Sequence, residues 1–433
     1  VPDTATPDPG PFQHGYVRRV VDDTLDALLP ALPAVYLDGP KAVGKTATAL
    51  QRARTVRRLD RARERAVAEA DPELALDGES PVLLDEWHRV PELWDAVKAA
   101  ADDGMTPGRF LLTGSAPAAA THSGAGRITA IRMRPLTLPE RGASRPTVSL
   151  ASLLAGEKPP IRGATELDLA QYTEQILTSG FPGFQHLTGR ALRAQLDGYL
   201  ARVIDADMEE AGLRVRRPAT VRAWLRAYAA ATSTTASSDR IRDAASAGQD
   251  AKPAKTTTIR YVDVLTRLRI LDDLEAWVPS RNHLHRLTQG PKHHLADPAL
   301  AARLVGASRA DLLDGSGTDL LPRDGTFLGA LFESLATLSV RVFAESAGAS
   351  VGHLRTQDGR HEVDLIVERD DRRVIAFEVK LAGTVDDKDV RHLHWLREQI
   401  GDDLLDSVVL STGPTAYRRP DGIAVVPLGL LGP

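Results

Sequence analysis

The octapeptide GPKAVGKT, Gly39 to Thr46, constrains what this chain can fold into more than any other stretch. The apolar run AVYLD precedes it and KTATALQRARTV follows it, a strand and then a helix by their patterns. Gly39 and Gly44 let the backbone curl until successive N–H groups face one point, and the new helix adds the positive end of its dipole. A polyphosphate fits such a cradle. The spacing therefore assigns nucleotide contact to Gly39, Pro40, Lys41, Ala42, Val43, Gly44, Lys45 and Thr46. Lys45 is expected to reach the β- and γ-phosphates, and Thr46 to place its hydroxyl on Mg²⁺, which makes ATP and Mg²⁺ the expected cofactors.

A phosphate loop of this kind sits at the edge of a parallel sheet. Three further strand candidates follow, TVRRLD, PVLLDEW and RFLLTGS, separated by helical stretches such as VPELWDAVKAAADDG. Apolar strands alternating with helices predict an α/β fold. PVLLDEW ends in Asp85 and Glu86, two carboxylates at the carboxyl edge, where open α/β sheets bind ligands. Asp85 is expected in the magnesium shell, and Glu86 orienting and activating the attacking water. Thr113 and Ser115, at the end of LLTGS, are placed to sense the γ-phosphate. Arg127 in GAGRI is expected as an arginine finger, in cis or in trans. The plain alternatives are strand-end hydroxyls and a surface arginine.

The rest of the chain divides by pattern. Residues 1–15, rich in proline and polar side chains, read as a disordered tail. The phosphate-loop domain spans 16–150, and a helical lid with a winged-helix region spans 151–290. The helix Ser238 to Ala245, a long polar turn, the helix TTIRYVDVLTRLRI and a strand LDDLEAWV give the order of a winged helix. Arg260, Tyr261, Arg267 and Arg269 give its second helix a basic side, which a solvated helix face explains equally well. A mixed domain follows from 291 to 433. The net charge of −4 excludes a polycation, so nucleic acid would have to meet a local basic face. The absence of cysteine excludes disulfides and thiolate metal sites and fits the cytoplasm. No apolar run suggests a membrane span.

In the last domain HEVDLIVERDDRRVIAFEVK reads as a hairpin. Val363, Leu365 and Val367 alternate with Glu362, Asp364 and Glu368, and Ile375, Phe377 and Val379 alternate with Glu378 and Lys380. Symmetry about Asp371 sets Asp364 opposite Glu378, about 5 Å apart at Cβ. Facing carboxylates persist when a cation sits between them. A divalent metal is one candidate, and Lys380 with nearby arginines is the other. His293, His294, His361, His392 and His394 read as packing or surface residues.

Together these stretches resemble a family of bacterial and archaeal AAA-type ATPases that carry a C-terminal domain of unknown function 4143. The resemblance rests on YVRR, GPKAVGKT, VLLDEWHRVPELWDAVK, FLLTGSA, GRI with RPLTLPE, and GFPGF. It continues through HHLADPALAARLVG, GALFESLA, EVDLIV and FEVK. The last set is also similar to the PD-(D/E)xK nuclease superfamily. That resemblance implies that Asp364, Glu378 and Glu333 hold a second Mg²⁺ or Mn²⁺, with Lys380 beside the attacking water. The expected protein is an Mg²⁺-dependent ATPase that acts on, or is switched by, nucleic acid, DNA rather than RNA. It is expected in the cytoplasm, off the membrane, and as a homo-oligomer. The alternative is a nucleotide-controlled switch or scaffold whose nuclease-like domain binds nucleic acid or a protein without cleaving.

Overall fold

The computed structural model describes residues 15–104, 106–114, 126–246, 253–277, 290–314, 326–356 and 359–433. The expected N-terminal tail, apart from residue 15, lies outside these residues, as does Ser115.

Five strands form the first sheet: β1 (Ala34–Asp38), β2 (Thr55–Arg58), β3 (Val82–Asp85), β4 (Phe110–Gly114) and β5 (Ile128–Arg132). Their order is β2-β3-β4-β1-β5, and every pairing is parallel. Strands β1, β3 and β4 are buried throughout, as central strands with both faces covered must be. Val35 and Leu37 enter one apolar cluster, Ala34 and Tyr36 the other. Trp87 and Trp94 cap the outer cluster, 4.7 Å apart at their ring centres and each edge-on to Tyr36. Strand β5 escapes a sequence reading because ITAIR has no apolar run. It is an edge strand, half-buried along most of its length.

The second sheet has seven strands. Its main members are β8 (Ser350–Arg355), β9 (Glu362–Glu368), β10 (Val374–Lys380), β11 (Leu404–Ser411), β12 (Thr415–Arg418) and β13 (Ala424–Pro427). The seventh strand, β7 (Gly163–Ala164), comes from far earlier in the chain and pairs with β12. A two-residue strand β6 (Val148–Ser149) pairs with β14 (Leu431–Gly432) at the C-terminus. Strands β6 and β7 thus pair with strands of the C-terminal region across the boundaries drawn from sequence.

The 21-residue helix Thr326–Ser346 packs on one face of this sheet, and helix Asp387–Ile400 packs on the other. The first helix passes a length and hydropathy test for a membrane span over Phe327–Ser346, which the sequence reading did not anticipate. Its most apolar window is 72% buried inside the protein, so it serves as a core helix.

Helices fill the space between the sheets. One apolar cluster runs from Val35 of β1, through Tyr172, Trp224 and Leu300 of the helical region, to Phe332 and Leu365. The helix expected at Ser238–Ala245 forms, and the one expected over TTIRYVDVLTRLRI forms as Lys255–Arg267. Among its described residues, the strand expected after them is reduced to isolated bridges, Leu271 with Leu295, Leu274 with Lys292 and Ala276 with His353. The basic side of the second helix is not free. Tyr261 is core beside Trp224, Arg267 donates to the Ala211 carbonyl, and Arg269 pairs with Asp38, leaving Arg260 exposed.

Candidate functional site: a phosphate loop and a distant acid cluster

The loop between β1 and helix Lys45–Leu50 has the shape its composition predicts. Gly44 takes φ 104°, and a Cβ on Gly39 would lie 2.4 Å from the Met133 carbonyl oxygen. Lys45 is 6% exposed and donates to the carbonyls of Gly39 and Pro40 at 2.7 and 2.8 Å. Burial pushes its ammonium down to about 8, against the pull of Glu86 and Asp38. The register levels Asp85 with Thr113 at the carboxyl edge. Asp85 Oδ1 accepts from Thr46 Oγ1 at 2.7 Å and from Thr113 Oγ1 at 2.5 Å. An oxygen set of this kind suits Mg²⁺ with bound phosphate. Glu86 adopts the left-handed region, φ 60° and ψ 41°, an uncommon conformation for a side-chain-bearing residue. Burial raises its carboxyl above the usual range, Lys45 opposes that shift and Asp85 adds to it.

Residues from other expected motifs brace this loop. Arg19 of YVRR is buried and donates to the Val43 carbonyl at 3.1 Å, the Arg134 carbonyl at 2.7 Å and Glu140 at 2.9 Å. Pro182 of GFPGF packs beside Gly44. Lys41 pairs with Asp207 at 2.6 Å and Glu210 at 2.9 Å, which ties the loop to the helical lid. Arg19 and Glu140 fall in the stretches YVRR and RPLTLPE, but their bracing roles, like that of Asp207, need a fold to bring them near.

Arg127 lies elsewhere. Ile128 pairs with Ala34 and Arg132 with Asp38, so Arg127 precedes the amino end of β5. Five residues of strand, about 17 Å, separate it from the carboxyl edge. It pairs with Asp102 at 2.5 Å. The register rules out its reaching its own phosphate loop. The arginines at that edge are Arg132, 3.6 Å from Asp38, and Arg269, 2.6 Å from the same carboxylate.

In the second sheet, β9 and β10 pair with the expected symmetry: Val374 with Glu368, through to Phe377 with Leu365. One further step sets Glu378 opposite Asp364. A bulge between β8 and β9 breaks the expected alternation, and Val363 joins the cluster of Ile366 and Trp277 instead of that of Leu365 and Val367. Asp364 Oδ2 accepts from the Val379 amide at 2.9 Å. Lys380 pairs with Glu378 at 2.5 Å and lies 4.0 Å from Asp364.

The cation among these acids is Lys292, which the sequence reading passed over. Its Nζ lies 2.8 Å from Glu333 and 2.9 Å from both Glu362 and Asp364. Burial would lift Asp364, but Lys292 and then Lys380 hold it below the ordinary carboxylate range. Burial, with Asp364 adding, raises Glu333. Burial and then Asp364 raise Glu378, which keeps one buried oxygen without a hydrogen bond. Among the described residues no three acidic or histidine side chains are grouped to hold a metal. The expected metal set of Glu333, Asp364 and Glu378 is thus met here by ammonium groups. Carboxylate oxygens shared with Lys292 do not fit a divalent ion as they stand.

Family models match three stretches of the chain. An AAA domain model matches residues 32–141, and a domain of unknown function 4143 matches residues 328–431. A further domain of unknown function, 8612, matches 169–311, the helical region between them. Uncharacterized proteins of Mycobacterium bovis and Mycobacterium tuberculosis are each 27% identical over 376 residues, covering 85% of this chain and 74% of theirs. A solved Walker-type ATPase of Pyrococcus abyssi is similar at a TM-score of 0.38 and 18% identity, over 67% of this chain and 96% of its own. The chain thus carries an AAA domain over residues 32–141 and a domain of unknown function 4143 over residues 328–431.

Proposed function

We propose that this protein binds ATP with Mg²⁺ and hydrolyses it, and that the nucleotide state is passed to a nuclease-like C-terminal domain that meets nucleic acid. The hydrogen-bonded line Thr46–Asp85–Thr113, in the same charge field as Lys45 and Glu86, carries the ATP reading. Bound ATP with Mg²⁺ supplies the phosphoryl group and part of its counter-charge. The chain's own residues do the rest. The loop amides of Gly39 to Thr46 and the helix start bind phosphate, and Lys45 exchanges its carbonyl partners for phosphate oxygens. Thr46 and Asp85 offer oxygens to the metal. Glu86, with its raised carboxyl, orients water and takes its proton. Thr113 holds Asp85 in place. Arg127 can serve only a neighbouring copy's site, which a homo-oligomer would supply.

Glu86→Gln should retain nucleotide binding and lose most turnover, while Lys45→Ala should weaken binding itself. Steady-state hydrolysis and a nucleotide titration on both variants test this, and full activity in Glu86→Gln rejects the assignment. The nucleic-acid part rests on the resemblance of EVDLIV and FEVK to nuclease motifs. Hydrolysis rates with and without single- and double-stranded DNA and RNA test it, with no change for any of them counting against it.

One observation favours a second reading. Lys292 among the acids supports a nucleotide-controlled switch or scaffold whose C-terminal domain binds a partner without cleaving it.

A further inference from the structure

The acid cluster of the second sheet is already neutralised from within the chain. An ammonium group has three N–H donors and no acceptor. Lys292 meets three carboxylate oxygens, Glu333 Oε1, Glu362 Oε1 and Asp364 Oδ1, all at 2.8–2.9 Å. Two of its donors are hydrogen-bonded, to Glu333 and Asp364, and Glu362 is held as an ion pair. The side chain is 1% exposed.

Nor is this position a chance reach of a long side chain. The Lys292 N–H and carbonyl both pair with Leu274 at 2.9 Å. The next residue's amide donates to the Thr234 carbonyl at 2.9 Å, and the His294 carbonyl accepts from the Asp272 amide at 2.9 Å. Backbone bonds on both sides thus aim Lys292 into the cluster. The second oxygen of Asp364 is bound to the Val379 amide. A divalent ion held by oxygen at about 2.0–2.6 Å would need the oxygens that Lys292 uses, and would stand against a like charge.

We propose that Lys292 is the resident cation of this cluster, in the place a divalent metal would take, and that it excludes such a metal while it is there. The C-terminal domain then offers a closed, lysine-plugged acid site. Lys380 and Glu378 beside it pair with each other and have no metal-bound water to act on. This inference is independent of ATP turnover, and its test needs no nucleotide.

The test is Mn²⁺ binding to the nucleotide-free 433-residue chain, followed by electron paramagnetic resonance and by thermal melts. The proteins are wild type, Asp364→Asn, Lys292→Met, and the double variant Lys292→Met with Asp364→Asn. Any Mn²⁺ at the phosphate loop is common to all four. Wild type and Asp364→Asn should bind the same amount. Lys292→Met should gain Mn²⁺ binding and a Mn²⁺-dependent rise in Tm, and the double variant should lose both. Binding by wild type that Asp364→Asn removes would overturn the proposal. So would a folded Lys292→Met protein that binds no more Mn²⁺ than wild type. If Lys292→Met does not fold, the comparison of wild type with Asp364→Asn still decides whether the native cluster takes a metal.

Discussion

Lys45 titrates where few lysines do. Burial lowers its folded value to about 8, and an unfolded lysine lies near about 10.4. Below the folded value the ammonium is present in both states, and the fold bears the cost of its burial. That cost fades as pH rises through about 8, because the folded state then sheds its proton first. Polyphosphate binding requires the ammonium. Nucleotide affinity should therefore be flat below the folded value and fall by up to about tenfold per pH unit above it. Titrations of wild type between about pH 7 and 9.5 check this, with Lys45→Arg as a variant that does not titrate there. A wild-type profile that falls no more steeply than that of Lys45→Arg would show that Lys45 keeps its proton across this range. The phosphate loop was legible in sequence because one contiguous octapeptide makes it. Arg132 and Arg269 were not, because only the register of β5 and the turn after helix Lys255–Arg267 bring them to Asp38.

At the scale of elements, the segment Lys292 to Asp297 works as a strap. Asp297 caps helix Pro298–Val305 through the Ala299 amide at 2.8 Å. Its other oxygen accepts from the Gly180 amide at 2.5 Å and from Ser179 Oγ at 3.1 Å. The Gly180 carbonyl in turn receives the Leu136 amide at 2.7 Å. Asp297→Ala removes a cap and two bonds to a buried carboxylate, and should cost about 3 kcal/mol or more. Denaturant midpoints check this, and a loss under about 1 kcal/mol would mean that water replaces those bonds. HHLADPAL could be singled out in sequence, but not what its aspartate holds. The hairpin shows the same division. Its pairing about Asp371 followed from a symmetric turn. The bulge against β8 did not, since period-2 alternation has no symbol for an extra residue. Lys292, 72 residues before Asp364, left no local pattern at all.

Over the whole molecule, a line of ion pairs joins the two sheets. Asp38, the residue before Gly39, pairs with Arg269 and Arg132. Asp272 gathers Arg132 at 3.4 Å, Arg134 at 2.7 Å and Arg341 at 3.3 Å. Arg134 reaches Glu345 at 2.6 Å. Arg341 and Glu345 lie on helix Thr326–Ser346, which also carries Glu333, the partner of Lys292. Burial would raise Asp272, but Arg134, Arg341 and Arg132 hold it well below the ordinary range. Its stabilising contribution is complete above the ordinary carboxylate value of about 3.9 and is lost as pH falls below it. Asp272→Asn leaves buried guanidinium groups without their shared carboxylate and should cost about 3–5 kcal/mol. The network also gives the phosphate loop a physical route to the C-terminal helix. A non-hydrolysable ATP analogue should slow amide hydrogen exchange in helix Thr326–Ser346 of wild type as well as at the loop. In Asp272→Asn, at saturating analogue, the loop should respond and the helix should not. A variant helix that responds as wild type does would show that coupling runs by another path. A wild-type helix that never responds would show that the network holds the domains together without passing on the nucleotide state.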